Sequence, residues 1–435
     1  MLLLIKQRLN ARIEVVCADN PFTFAVRNEL DSHVKSYHPT LWLPFSIMKS
    51  MYQGDKQIKD MSVYHRLQYR MTDGEVLAVD CYPKNFLELD DTPIVMFVPG
   101  VFGMSSDVYS LEFCRMVCSQ LGWRACVFNR RGYGGMPIRG TRVVGFTSYD
   151  DMHSVVNQLH EQFPLSGIYL VGVSMGAANT QRFLAEYPDD HKVKAAVTIS
   201  SPWNAHVVSE KVRRNPLLRK GIHSYQVKLF KEQLENESFN NLLRQKNIKP
   251  ETILSTKDNK DFDFQLSAKG LDHQRAEEYY EALSTHQLMD RINVPLLSIN
   301  SSNDLLIPKA VIPFEEIRLN PRIIHLQVAG GGHTEYFTGC RPRYVDSFFT
   351  KWAFEGALKF LSLIDTSEKS GRRIDHVIRQ ELNVPGVNVA GQSDLQEHAG
   401  PSTAGQLDLE LAPSLEPHPL GSPKTRPAND LYTQL

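Results

Sequence analysis

The segment from Ile168 to Ala178 constrains the fold of this chain more than any other stretch. It reads Ile-Tyr-Leu-Val-Gly-Val-Ser-Met-Gly-Ala-Ala, so an apolar run passes through G-x-S-x-G directly into residues with helical spacing. A serine on such a sharp strand-to-helix turn needs strained backbone angles and small neighbours, and Gly172 and Gly176 supply them. The pattern predicts that the Ser174 hydroxyl projects above the edge of a sheet as a nucleophile.

Short apolar runs alternate with longer amphipathic runs through the middle of the chain. Six apolar runs are typical of buried strands, namely 94–98, 125–128, 168–171, 195–199, 295–299 and 323–328. The runs between them, such as 108–121, 149–163 and 177–187, have helical spacing. This alternation predicts an α/β fold with a mostly parallel sheet, covered by helices on both faces. A hairpin with its turn at Asp73-Gly74 is expected ahead of these strands.

One interval and both ends of the chain break this rhythm. Residues 203–290 are charged and contain many leucines, which predicts several helices in place of a single crossover. We interpret them as a cap inserted over the end of the sheet; surface helices without an active-site role are the alternative. Residues 1–60 are irregular and predict an N-terminal arm ahead of a domain at 61–364. Residues 365–435 are rich in Pro, Ser, Gly and Gln and predict a largely disordered tail.

Charge, cysteine usage and hydropathy exclude several function classes. The formal net charge is −1, so no nucleic-acid partner is expected. The six cysteines are scattered without zinc spacing and predict reduced thiols rather than a metal site. No run reaches the roughly 18 apolar residues that span a bilayer, and the apolar start at 1–5 predicts a packed terminal helix or a weak membrane-surface anchor. These features favour the cytoplasm or the cytosolic face of a membrane.

A serine hydroxyl needs a base, and two later segments supply the expected partners. Asp304 follows the apolar run 295–299, and His333 follows the run 323–328 and three glycines. The chain order Ser, Asp, His, each after a strand, is the order that this kind of sheet uses. We therefore expect Ser174 as nucleophile, His333 as general base and Asp304 as orienting acid, with no metal or organic cofactor.

Two other carboxylates, those of Asp290 and Glu335, lie near these positions in the sequence. Asp290 is the rival for the orienting acid, but it precedes its strand instead of following it. Glu335 lies too close to His333 in sequence to be the favoured orienting group, and we interpret it as a pocket or surface residue.

The loop after the run 94–98 reads Pro-Gly-Val-Phe-Gly-Met and contains a candidate oxyanion donor. Its glycines let the backbone approach a ligand closely. We expect the backbone amides of Val101 and Met175 to form the oxyanion hole; an ordinary strand-to-helix turn is the alternative.

The stretch Asn129-Arg130-Arg131-Gly132 follows the next strand. Its arginines either bind a phosphate head group or hold the loop through a salt bridge to a nearby carboxylate. The run is not a nucleotide-binding fingerprint.

Taken together, these residues resemble family four of the AB hydrolase superfamily, which includes embryogenesis-associated proteins of plants, medium-chain ester synthases/esterases of yeast, and membrane lipases and phospholipases of animals. The resemblance covers about residues 37–362 and is carried by Pro39-Thr40-Leu41-Trp42, Asp73-Gly74, Pro99-Gly100-Val101-Phe102-Gly103, Asn129-Arg130-Arg131-Gly132, Gly172-Val173-Ser174-Met175-Gly176, Asn303-Asp304 and Gly331-Gly332-His333. It implies an α/β-hydrolase fold with a helical cap and the Ser174, Asp304 and His333 triad.

The same resemblance implies hydrolysis of acyl esters such as monoacylglycerols, phospholipids or short- to medium-chain esters. An acyltransferase with the same triad and a non-catalytic binding protein of this fold are the alternatives. The chain departs from the family pattern in the run Asn303-Asp304-Leu305, where many members carry two acids and a proline, and at Glu335-Tyr336.

Overall fold

The described residues contain a nine-stranded sheet. The structure, a computed structural model, describes residues 13–40, 57–88, 91–142, 147–338 and 351–371. The strands are β1 (Ile13–Cys17), β2 (His65–Arg70), β3 (Val76–Tyr82), β4 (Ile94–Val98), β5 (Arg124–Phe128), β6 (Ile168–Val173), β7 (Val193–Ile199), β8 (Leu296–Ser301) and β9 (Ile323–Val328). Their order in the sheet is β1-β9-β8-β7-β6-β4-β5-β3-β2.

The six strands from β4 to β9 are parallel, as their continuous apolar runs predicted. All five residues of β4 are buried, because helices cover both faces of the sheet. The predicted hairpin is also confirmed, since β2 pairs antiparallel with β3, which in turn pairs antiparallel with β5.

Helices pack on both faces of this sheet. Those before the cap are α1 (Pro21–Lys35), α2 (Val108–Leu121), α3 (Tyr149–Gln162) and α4 (Met175–Glu186). Those after the cap are α11 (Phe314–Leu319) and α12 (Lys351–Lys369). The apolar sides of α1, α2 and α12 join one core cluster with the sheet, and those of α3, α4 and α11 join the other.

The interval predicted as a cap is helical and connects β7 to β8. It contains α5 (Ala205–Arg214), α6 (Pro216–Gln233), α7 (Glu237–Gln245), α8 (Pro250–Leu254), α9 (Asn259–Phe262) and α10 (Ala276–Leu283), with a π-helical turn at Asp263–Ala268. Its helices have a small core of their own, which includes Phe230, Phe239 and Phe262.

The N-terminal region departs from the predicted irregular arm. β1 adds an antiparallel edge strand to β9, with Ile13 opposite Val328. α1 begins at Asn20, whose side chain accepts a hydrogen bond from the Thr23 amide in a reciprocal capping box. Residues 41–56 of the predicted arm lie outside the described residues, as does the apolar start at 1–5.

The helices α1 and α12 contact each other directly. The Nε2 atom of His33 lies 2.9 Å from the Trp352 carbonyl oxygen, and the Trp352 indole donates to the His33 carbonyl at 3.2 Å. The two rings stack with centroids 4.8 Å apart. α12 continues to Lys369, past the predicted start of the tail at residue 365, and the rest of that tail after Gly371 lies outside the described residues.

Candidate active site

Ser174 lies on the turn between β6 and α4. Its backbone has φ 54° and ψ −120°, a conformation that costs energy for a residue with a side chain. A Cβ atom at Gly172 would lie 2.5 Å from the Gly176 carbonyl oxygen, and one at Gly176 would lie 2.5 Å from the Pro99 carbonyl oxygen and collide with that of Val98. The turn therefore requires glycine at both positions, for the steric reason that the G-x-S-x-G pattern indicated.

The structure brings Ser174, His333 and Asp304 together in one hydrogen-bonded chain. The Ser174 Oγ atom lies 2.8 Å from His333 Nε2, and His333 Nδ1 lies 2.7 Å from Asp304 Oδ2. The other carboxylate oxygen, Asp304 Oδ1, accepts hydrogen bonds from the amides of Leu306 at 2.7 Å and Ile307 at 2.9 Å. Both oxygens of Asp304 are thus held, so its orientation toward the imidazole is fixed.

Two opposing effects set the pKa of His333. Burial disfavours the imidazolium, but the charge and hydrogen bond of Asp304, with a smaller contribution from Glu335, hold the pKa of His333 above its ordinary value. Lys211 acts in the opposite direction. The site therefore stabilises a proton on the imidazole, as a base that receives one from a serine hydroxyl requires.

The predicted oxyanion amides flank Ser174. Met175 is the first residue of α4, and a Cβ atom at Gly100 would lie 3.2 Å from the Ser174 Cβ atom. Within the described residues, neither the Val101 amide nor the Met175 amide donates to a protein acceptor. Both donors thus lie beside the serine side chain without a competing internal hydrogen bond.

Arg130 fixes the peptide that carries one of these amides. Its Nη2 atom donates to the Gly100 carbonyl oxygen at 3.0 Å, and the Gly103 amide donates to the same oxygen at 3.0 Å. The Gly100 carbonyl and the Val101 N–H belong to one planar trans peptide and point in opposite directions. Holding the carbonyl on one side therefore sets the direction of the Val101 N–H on the other.

Arg131 forms salt bridges that hold its loop, as one of the two interpretations of the Asn129–Gly132 stretch stated, and does not offer its guanidinium to a phosphate group. Its guanidinium donates to Asp151 at 2.7 and 2.8 Å and to Asp73 at 2.6 and 3.1 Å. With all these contacts inside the fold and its side chain 7% exposed, Arg131 holds the loop to the first hairpin.

Ser200 is a residue near the site that the sequence patterns did not indicate, and Tyr336, noted there only as a departure from the family pattern, contacts it. The Ser200 Oγ atom donates to the carbonyl oxygen of His333 and lies 3.1 Å from the Tyr336 hydroxyl. Ser200 has a positive φ of 56° directly after β7, and Tyr336 packs against Trp352. The sequence signal for Ser200 is that it directly follows a strand of the parallel sheet. Ser201 shares this signal, so the sequence does not distinguish the two serines.

The cap contacts the candidate site at three places. Lys211 Nζ on α5 lies 3.4 Å from the Asp304 carbonyl oxygen. The ring of Tyr225 on α6 lies 4.6 Å from that of Phe102 in the oxyanion loop. Apolar residues from the two sides form one cluster, which includes Val101, Met175, Phe264, Leu271, Tyr279 and Tyr280. The cap thus covers the oxyanion loop with apolar side chains.

In the described ranges, no three His, Cys, Asp or Glu side chains are grouped closely enough to hold a metal ion. The five cysteines in these ranges are free thiols. None of the helices described has the length and apolarity needed to cross a bilayer.

The structure buries Glu335, which the sequence analysis interpreted as a pocket or surface residue. Its carboxylate accepts a hydrogen bond from the Thr334 amide at 3.2 Å.

Comparison with known proteins identifies the fold family. Residues 93–339 match the family described as alpha/beta hydrolase fold. The chain belongs to the alpha/beta hydrolase family. The matched range contains the turn with Ser174, the loop with Asp304 and the segment with His333.

Curated relatives of this alpha/beta hydrolase include a phospholipase and a monoacylglycerol lipase, whose names describe ester cleavage. It is 23% identical to Phospholipase ABHD3 of Bos taurus over 346 residues, which are 78% of this chain and 83% of the relative. It is 26% identical to Embryogenesis-associated protein EMB8 of Picea glauca, covering 71% of this chain and 68% of the relative. It is 24% identical to Monoacylglycerol lipase of Saccharomyces cerevisiae, covering 63% of this chain and 60% of the relative. Together with the family, these matches identify a carboxylic ester hydrolase.

Proposed function

We propose that this alpha/beta hydrolase cleaves carboxylic esters of acyl lipids through a Ser174, His333 and Asp304 triad. The observation that carries the proposal is the hydrogen-bonded chain of 2.8 Å and 2.7 Å through His333. A serine hydroxyl is inert at neutral pH unless a base removes its proton, and this geometry supplies both the base and its orienting acid.

The proposed reaction has two halves. His333 takes the Ser174 proton as Oγ attacks the ester carbonyl carbon, and the same proton then passes to the departing alcohol. Water next attacks the acyl-enzyme and gives a proton to His333, which passes it to Ser174 Oγ as the bond between the acyl carbon and Oγ breaks and the acid is released. The amides of Val101 and Met175 donate to the oxyanion in both halves, and each such donor typically contributes about 3 kcal/mol.

An acyl lipid is the proposed substrate for two reasons. The cap residues that face the oxyanion loop are largely apolar, which favours an acyl chain over a charged acyl group. The relatives named a phospholipase and a monoacylglycerol lipase act on such esters by name. Monoacylglycerols, phospholipids and short- to medium-chain esters are therefore the classes to screen.

Labelling with a fluorophosphonate probe tests the nucleophile. Purified wild-type protein is expected to label, Ser174→Ala to lose labelling completely, and His333→Ala to label far more slowly. Ser224→Ala, an exposed serine on α6, is the matched control and is expected to label like wild type. Folded wild-type protein that does not label would contradict the hydrolase proposal and favour a ligand-binding role for the fold.

Acyl transfer is the second candidate function, because an alcohol can replace water in the deacylation half with the same residues. A soluble ester is incubated with the enzyme and increasing concentrations of glycerol or butanol, and free acid and new ester are measured. Free acid as the main product at every alcohol concentration supports hydrolysis. New ester that replaces the acid at low alcohol concentrations would reassign the enzyme as an acyltransferase.

A further inference from the structure

Positive charge is concentrated in one segment of the cap. Residues 211–231 contain no Asp or Glu, whereas the whole chain has a net charge of −1. The cationic residues of this segment are Lys211, Arg213, Arg214, Arg219, Lys220, Lys228 and Lys231. A local excess of this size in a nearly neutral chain creates a strongly positive surface potential.

Most of this charge points outward along one face of α6 and the end of α5. At 100° per residue, Leu217, Lys220, Lys228 and Lys231 fall on one side of α6, and all four are exposed. Arg213 and Arg214 precede them at the corner between the two helices, and both are exposed. We call these six residues the basic stripe: Arg213, Arg214, Leu217, Lys220, Lys228 and Lys231.

Internal ion pairs neutralise only part of the stripe. Glu210 pairs with Arg213 at 2.9 Å and lies 3.8 Å from Arg214, and Glu232 lies 3.9 Å from Lys228. For the described part of the chain, no carboxylate lies within ion-pair distance of Lys220 or Lys231. The stripe also exposes an apolar group at its tip, because Leu217 is 63% exposed.

The stripe lies next to the candidate active site. The Lys228 ammonium is 5.7 Å from the centre of the Tyr225 ring, and that ring contacts Phe102 of the oxyanion loop. One turn before the corner, Lys211 reaches the Asp304 carbonyl oxygen. Lys228 of the stripe is thus linked through Tyr225 to the oxyanion loop, and Lys211, on the helix that ends at the stripe, contacts the loop of Asp304.

We infer that the basic stripe docks this enzyme on an anionic lipid bilayer. Clustered lysines and arginines beside an exposed leucine are the combination that binds the surface of a membrane rich in acidic lipids. Ester bonds of membrane lipids lie just below the head groups, so docking beside the oxyanion loop brings substrate to Ser174. This use of the surface rests on the proposed action on lipid esters, whereas the docking itself does not require catalysis.

Vesicle binding tests the inference with the full-length Ser174→Ala protein, in which substrate turnover is prevented. The protein is sedimented with vesicles of phosphatidylcholine and phosphatidylglycerol at a ratio of about 4:1, and with pure phosphatidylcholine, in about 0.1 M salt. We expect binding to the anionic vesicles, weaker binding to the neutral ones, and loss of the difference at about 0.5 M salt. Lys220→Glu/Lys231→Glu is expected to weaken anionic binding by at least roughly 30-fold.

Two control variants are used: one makes the same charge change as Lys220→Glu/Lys231→Glu, and the other, like the test variant Leu217→Ser, removes an exposed leucine. Lys84→Glu/Lys359→Glu makes the same charge change at exposed positions outside the cap, and it is expected to bind like the parent protein. Leu217→Ser is expected to weaken binding, whereas Leu165→Ser, at a position 75% exposed, is not.

Three results would overturn the inference: no vesicle binding, equal binding to neutral and anionic vesicles, or unchanged binding by Lys220→Glu/Lys231→Glu. A change in oligomeric state in place of vesicle binding would assign the stripe to a second copy of the chain. Activity is followed separately with a soluble short-chain ester and the fluorophosphonate probe. Lys220→Glu/Lys231→Glu is expected to retain both, so failure of docking and failure of the proposed hydrolysis are distinguishable.

Discussion

The Nδ1 atom of His333 lies 2.7 Å from the Oδ2 atom of Asp304, and the second carboxylate oxygen is bound by two backbone amides. This arrangement keeps the Nδ1 proton toward the carboxylate and leaves Nε2 free to accept a proton from Ser174. The same contact stabilises the imidazolium that forms during the reaction.

Asp304→Asn is expected to lower kcat by about 10³- to 10⁴-fold, because the amide favours the wrong imidazole tautomer. The measurement is steady-state hydrolysis of a soluble ester, with the thermal midpoint recorded for the same sample. Asp290→Asn, which replaces the rival acid of the sequence analysis, is the matched control and is expected to retain activity. A loss below tenfold in Asp304→Asn would remove Asp304 from the proposed triad.

The rate should rise with pH through the pKa of His333, because only the neutral imidazole accepts the Ser174 proton. The pKa is raised, so the inflection is expected above the ordinary histidine value and activity is lost as the pH falls below it. Lys211→Met removes a positive charge that disfavours the imidazolium and should move the inflection to higher pH. Glu335→Gln removes a negative charge and should move it to lower pH. Shifts in the same direction for both variants would contradict this account of the electrostatics.

Gly176→Ala is expected to destabilise the fold by at least 1 to 3 kcal/mol, since its Cβ would collide with the backbone carbonyls of Val98 and Pro99. Gly221→Ala provides the contrast, because nothing lies within 4 Å of a Cβ atom at that position of α6. Alanine there should stabilise the protein by roughly 0.5 to 1 kcal/mol. Urea unfolding of both variants checks the prediction, which fails if the two changes have the same sign.

Arg130 and Arg131 are adjacent in sequence but are expected to affect different properties. Arg130→Met releases the Gly100 carbonyl and should lower kcat by about 10²-fold with a smaller change in KM, since one oxyanion donor is misdirected. Arg131→Met removes the cation shared by the buried Asp151 and the half-buried Asp73. Because Arg142 still pairs with Asp151 at 3.0 Å, the expected loss of stability is about 3 kcal/mol, the lower end for a buried ion pair.

Kinetics well below the melting temperature, together with denaturant unfolding, separate the two effects. Added guanidinium at low millimolar concentration is expected to restore part of the rate of Arg130→Met, as it would not for a variant that merely unfolds. A folded Arg130→Met enzyme with the kcat of wild type would show that the Gly100 contact does not direct the Val101 amide.

Asp263 in the cap should make stability depend on pH. Burial raises the pKa of Asp263 to about 7, against hydrogen bonds from Tyr280 and Gln226 that favour the carboxylate. Between the unfolded value near 4 and this folded value, only the unfolded chain releases the proton, so stability falls as the pH rises. Asp263→Asn should flatten this fall between about pH 4 and pH 7, measured by urea unfolding, and Asp261→Asn on the exposed side should not. A wild-type profile that rises across this range would disprove the assignment.

Local sequence patterns were sufficient for the parallel strands and for the order of the proposed triad. Each buried strand is an apolar run with turn residues at its ends, and each candidate side chain directly follows such a run. β1 was not predicted, because a short half-exposed edge strand is defined by its partner β9, which lies roughly 300 residues later. α1 had a readable signal in Asn20, Pro21 and Thr23, a capping pattern that marks a helix start.

The supporting contacts of the site were beyond the reach of local patterns. The hydrogen bond from Arg130 to Gly100 and the one from Ser200 to His333 join segments about 30 and 133 residues apart. Such pairs depend on how the strands are ordered in the sheet, which no single stretch of sequence specifies.

The pairing of β1 with β9 and of His33 with Trp352 joins segments that are synthesised at different times. The N-terminal strand and helix leave the ribosome first, but their partners emerge only when most of the domain has been translated. At about 5 to 20 residues per second, this delay lasts on the order of 15 to 60 seconds. Tyr336, whose hydroxyl lies 3.1 Å from the Ser200 Oγ atom, likewise packs against Trp352 only after Trp352 has been translated. The packing of α1 and of Tyr336 can therefore be completed only after α12 has emerged from the ribosome.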